Sequence, residues 1–160
     1  MIAPILLALA LLTGCKHDEC DYGGYTPMAV ALVSGAPASA ATPDGCVIYT
    51  DLPTDTRSPD QYGAQMQHIG RSVEACLNGT ATSAVSAVEP AFYSEQLYFR
   101  IDGDCPNTAY GCFRYECRKV DMDLAATCSG PQSAWSEACW AKFYHGLGHE
   151  IMHGWLGAFH

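Results

Sequence analysis

The stretch Tyr144-His145-Gly146-Leu147-Gly148-His149-Glu150-Ile151-Met152-His153-Gly154-Trp155-Leu156-Gly157-Ala158-Phe159-His160 decides how the chain is read. Upstream of it Trp135, Ala138, Trp140, Phe143 and Tyr144 follow Pro131, and together they predict a helix from about Ser133 to His153. On a helix, residues four apart lie one turn apart on one face, so the imidazoles of His149 and His153 point to the same side. Glu150 is rotated about 100° from His149, which brings its carboxylate beside them. Two imidazoles and a carboxylate so spaced can hold a divalent metal ion and take a proton from a water bound to it. The competing reading is a helix whose histidines are simply exposed or hydrogen-bonded.

Working outward, Cys46-Val47-Ile48-Tyr49-Thr50 is β-branched and aromatic and reads as the first core strand. Ser58-Pro59-Asp60 has the form of an N-cap with Pro at the first helical position. Tyr62, Met66, Ile69 and Val73 then form one apolar stripe, and Asn78-Gly79 supply a helix stop. Gln96–Ile101 and Phe113–Met122 read as extended, with Asp102-Gly103 as a turn after the first. Cys105 and Cys112 bracket the connection and suit a disulfide across it. The order strand, helix, strands, helix predicts an α+β fold. Asp102-Gly103-Asp104 lacks the remaining ligands of a calcium loop.

His149-Glu150-Ile151-Met152-His153 fits the HExxH pattern, and the segment resembles the active-site helix of the zincin metallopeptidases. That resemblance implies a small disulfide-stapled domain with a backing helix, a small sheet and a C-terminal active-site helix. It implies Zn2+ on His149 and His153, with Glu150 as the general base of peptide-bond hydrolysis. The third ligand departs from the family patterns. No Asp or Glu follows His153, and the metzincin form HExxHxxGxxH is met by HEIMHGWLGAFH, one residue too long and without a Met-turn. On one straight helix His160 would lie about 10.5 Å beyond His153. Metal–imidazole bonds are only about 2 Å long. A left-handed Gly154 or Gly157 can end the helix and fold residues 158–160 back, so His160 is the expected third ligand, with the terminal carboxylate as a second possibility. His145 sits one turn before His149, too far to share the ion, and His68 reads as a surface or packing residue. Tyr110, Tyr115 and Tyr144 are candidates to polarise a substrate carbonyl.

At the other end, the apolar run Met1–Leu12 is followed by Leu12-Thr13-Gly14-Cys15, which resembles a bacterial lipobox, although the run carries no Lys or Arg. The resemblance implies a signal peptide over 1–14 and a lipid on Cys15. It places the chain in the bacterial cell envelope, at the outer membrane or cell surface rather than the inner membrane. Residues 15–44, rich in Gly, Pro, Ala, Ser and Thr, read as a tether within which Met28–Val33 has strand character, and 45–160 as the folded domain. Of nine cysteines, eight remain after Cys15, an even number suited to disulfides in an oxidising compartment, and no CxxC pair marks a metal cluster. A net charge of −9 with scattered Lys and Arg excludes nucleic acid as a partner. No GxSxG elbow, P-loop or dinucleotide fingerprint is present. The expected partners are therefore the membrane, through the lipid, and a peptide or protein substrate. The alternative is a non-catalytic, disulfide-stapled surface lipoprotein that binds a partner or is purely structural.

Overall fold

In the computed structural model of the chain, residues 20–35, 39–50, 63–81 and 91–157 are described. Among them, alternating side chains build six strands: β1 (Thr26–Ser34), β2 (Ser39–Thr42), β3 (Gly45–Thr50), β4 (Tyr93–Ile101), β5 (Gly111–Arg114) and β6 (Lys119–Met122). They form one mixed sheet in the order β2-β3-β1-β4-β6-β5. β1 runs parallel to β3 and antiparallel to β4, while β5 closes one edge antiparallel to β6. The helices are α1 (Gly63–Leu77), the short α2 (Leu124–Thr127) and α3 (Glu137–Leu156). The fold is α+β, as the element order predicts. No helix among the described residues is long and apolar enough to cross a membrane.

One face of the sheet carries the core. Val30, Leu32, Ile48, Leu97, Phe99, Val120 and Met122 are buried against Met66, Ile69 and Val73 of α1 and Phe143, Leu147 and Ile151 of α3. The apolar stripe of α1 is the expected one over its described residues; Ser58-Pro59-Asp60 and Tyr62 lie outside them. Gly79, at φ +67°, follows the helix and takes the left-handed conformation expected there. Two glycines let the helices meet backbone to backbone. A Cβ on Gly70 would stand 1.9 Å from the Tyr144 carbonyl oxygen, and one on Gly148 would stand 2.0 Å from that of Met66.

Several boundaries differ from the sequence reading. Residues 26–34, placed within a tether, form β1 between β3 and β4, so Cys46–Thr50 is not the first core strand and folded structure begins by Cys20. Ala, Pro and Gly flank Met28–Val33 and dilute its strand character, but two partner strands satisfy its backbone. The extended stretch Phe113–Met122 is broken by a 3-10 turn at Tyr115–Cys117, with Arg118 left-handed at φ 52°. The last helix starts at Glu137, capped by the Ser136 side chain, because Pro131 opens a separate 3-10 turn over Gln132–Ala134. Among the described residues, four disulfides join Cys20 to Cys117, Cys46 to Cys76, Cys105 to Cys112 and Cys128 to Cys139.

Candidate metal centre

α3 carries the HExxH residues beneath the edge strand β5. On the helix face toward the sheet edge, Glu150 is flanked one turn on either side by Gly146 and Gly154. The Tyr110 ring occupies the space beside Gly146, and Tyr93 and Phe113 occupy that beside Gly154. Opposite Glu150 the strand carries Gly111, whose missing side chain leaves room for the carboxylate: a Cβ there would lie 3.0 Å from both Cγ and Oε1. Glu150 is thus buried, at 7 % exposure, and accepts a hydrogen bond from the Phe113 backbone amide. Burial pushes its carboxyl up to about 7, against the smaller lowering effect of that amide.

His149 and His153 converge as helical spacing requires, with ring centroids 4.7 Å apart and planes at 85°. One ligand atom from each of His149, Glu150 and His153 can be chosen so that all lie within 4.8 Å of one another. Donors around a tetrahedral zinc with bonds of about 2.0–2.1 Å stand about 3.3 Å apart, inside that 4.8 Å limit. These residues fit a divalent cation.

The second histidine is oriented from behind. His153 Nδ1 lies 3.0 Å from the Tyr115 hydroxyl and 3.4 Å from the Gly157 carbonyl oxygen. A carbonyl only accepts, so that contact favours the proton on Nδ1 and leaves the Nε2 lone pair for a metal. Nε2 is the nitrogen on the Glu150 side, 3.8 Å from Oε2. Gly157 supplies this carbonyl as the helix ends, at φ +76°, so of the two expected helix stops Gly157 acts and Gly154 stays helical.

Gly111, Cys112, Phe113 and Tyr115 form the opposite wall of a cleft of about 390 Å³ over His149, Glu150 and His153. Of the three tyrosines considered, Tyr115 is the one in the cleft, and its hydroxyl pKa is raised by burial and by the Glu150 charge. Tyr110 packs beside Gly146 under the Lys142 ammonium, and Tyr144 stacks on Trp140 with Arg71 over its ring. His145 stands 6.4 Å from His149, ring to ring, and His68 Nε2 bonds the Tyr49 carbonyl at 2.8 Å. His160 and Cys15 lie outside the described residues. The sequence places Phe113 in an extended stretch but gives neither it nor Gly111 a place beside Glu150, because that closeness is purely tertiary. The one signal was a short apolar strand next to a tyrosine.

No protein-family model, curated protein or solved structure matches the chain.

Proposed function

We propose that the chain is a small zinc-dependent metallopeptidase of the bacterial cell envelope, held to the membrane by a lipid on Cys15. The observation that carries the reading is the convergence of His149, Glu150 and His153 in a cleft walled by an edge strand. His149 and His153 would hold the ion, and His160 remains the proposed third ligand. Bound zinc supplies a Lewis acid and brings the pKa of its water toward neutrality. Glu150, beside the imidazoles, would act as the base that takes a proton from an attacking water in the cleft. Tyr115, bonded to His153, would donate a hydrogen bond from its hydroxyl to a carbonyl oxygen in the cleft. β5 is an edge strand, so an extended peptide can lie along it by main-chain pairing.

A second reading, a stapled lipoprotein without turnover, is favoured by one observation: the Glu150 carboxylate is engaged by the Phe113 amide. Zinc content separates the two readings. It is measured on the disulfide-intact chain beside His149→Ala and Glu150→Gln, with folding checked by circular dichroism. One zinc per chain, lost in His149→Ala and kept in Glu150→Gln, supports the metal centre, and peptide cleavage lost in Glu150→Gln then supports the peptidase. Three equally folded proteins without zinc would leave the stapled lipoprotein.

A further inference from the structure

The Cys20–Cys117 disulfide changes where the cleft stands relative to the lipid anchor. An open tether of residues 15–44 would have a contour of about 100 Å. The chain is instead pinned at Cys20, five residues beyond Cys15, with Cα atoms of Cys20 and Cys117 5.7 Å apart. Five residues span at most about 18 Å. Cys117 closes the 3-10 turn that begins with Tyr115, a wall of the cleft. Tyr115 therefore stands within about 30 Å of Cys15, by chain geometry alone.

The surface around the disulfide has matching chemistry. Among the described residues the exposed large hydrophobic side chains are Tyr22, at 39 %, and Tyr115, at 41 %. Tyr22 stacks on Tyr98 with ring centroids 3.9 Å apart, and its hydroxyl donates to the Cys117 carbonyl. Both hydroxyls bond within the protein, to the Cys117 carbonyl and to His153 Nδ1, so it is the exposed ring surfaces that would meet the headgroup layer of a bilayer. Of the charges nearby, Arg118 pairs with Glu95, and Arg100 and Arg114 both pair with the buried Asp121, while Asp21 and Glu116 stand exposed. Contact would rest on the tyrosines and on tethering, which keeps a weak contact populated through its high effective concentration. It would not rest on anionic lipid, which repels a chain of net charge −9.

We propose that the face around Cys20–Cys117, with Tyr22 and Tyr115, rests on the lipid surface and opens the candidate metal cleft toward the membrane. This rests on the lipid-anchor and peptidase readings above. It narrows the substrate to polypeptide segments close to the bilayer, such as the stretch where a membrane-bound protein leaves it.

The test is hydrogen exchange read by mass spectrometry on the full lipidated chain bound to phosphatidylcholine vesicles. It is compared with a variant carrying a flexible Gly-Ser spacer inserted between Glu19 and Cys20, and with Cys20→Ser/Cys117→Ser. The mass of the N-terminal peptide reports the lipid in the same run. Amides of residues 20–25 and 111–118 should exchange roughly threefold or more slowly in the native chain than in either variant, with α1 unchanged. Should the double serine variant fail to fold, the spacer variant carries the comparison. A lipidated chain whose exchange equals that of the spacer variant overturns the membrane-facing cleft and leaves the anchor standing. A chain with no lipid on Cys15 overturns the anchor, and the inference with it.

Discussion

The Glu150 carboxylate accepts a hydrogen bond from the Phe113 amide while buried against Gly111, and these two effects oppose each other. Burial dominates, so the group titrates near 7 in the folded chain against 4.5 for a free glutamate. Between those values the folded state holds more protons than the unfolded one, and stability falls as pH rises. Below 4.5 the penalty is absent, and above 7 it is complete. Glu150→Gln keeps an acceptor for Phe113 and cannot ionise. In chelator-treated protein it should match the native chain at pH 4 and exceed it at pH 8, by at most about 3 kcal/mol. Urea denaturation at both pH values checks this, and a variant less stable at pH 8 would show that the amide bond outweighs desolvation.

Tyr115 and Tyr144 provide a comparison, the first an exposed phenol facing α3 from the neighbouring 3-10 turn and the second a half-buried phenol on α3 itself. Only Tyr115 touches a proposed ligand, through His153 Nδ1. Groups bonded to the far nitrogen of a metal-binding histidine typically hold about 10- to 100-fold of the affinity. Gly157 remains as a second partner, so Tyr115→Phe should weaken zinc binding by about tenfold, near the low end. Tyr144→Phe should leave it unchanged. Competition against a zinc-binding dye measures both, and equal affinities would remove Tyr115 from the centre.

How far the sequence reaches is set by the range of each interaction. HExxH puts His149 and His153 together through one helical turn, a local relation that needs no tertiary knowledge, and the structure agrees. The stripe Met66, Ile69, Val73 and the stop at Gly79 are local in the same sense. β1 was half-legible: Met28–Val33 has the composition of a strand, yet its place at the sheet centre depends on partners at Cys46–Thr50 and Tyr93–Phe99. The pairing of Cys20 with Cys117 spans 97 residues and has no local signature. Gly111 faces Glu150 across a strand-to-helix contact for the same reason.

Gly148 precedes His149, the first proposed ligand, and reads locally as a weak point in a helix, where alanine would normally gain about 1 kcal/mol. The packing reverses that expectation. A Cβ at 2.0 Å from the Met66 carbonyl oxygen meets backbone, which cannot yield without separating α1 from α3. Gly148→Ala and Gly70→Ala should each cost about 3 kcal/mol. Gly63→Ala, whose Cβ meets nothing within 4 Å, should be neutral or stabilising. Thermal denaturation of the three variants decides it, and a stable Gly148→Ala would mean the helices cross less closely.

The four disulfides close loops of very different length, and this orders their contributions. Sequence separations are 97 for Cys20–Cys117, 30 for Cys46–Cys76, 11 for Cys128–Cys139 and 7 for Cys105–Cys112. If each acts by restricting the unfolded chain, the longest loop contributes about 2 kcal/mol more than the shortest. Paired serine substitutions should therefore destabilise in the order of loop length, with Cys20→Ser/Cys117→Ser the most costly by guanidinium denaturation. The short Cys105–Cys112 loop contains the left-handed residues Asn107 and Thr108 and leads directly into β5. Its removal should cost least in global stability, while loosening the strand wall above Glu150. A small stability loss accompanied by weaker zinc binding would be the expected signature, whereas a loss larger than that of Cys20–Cys117 would show that native-state geometry, and not unfolded-chain entropy, sets the order.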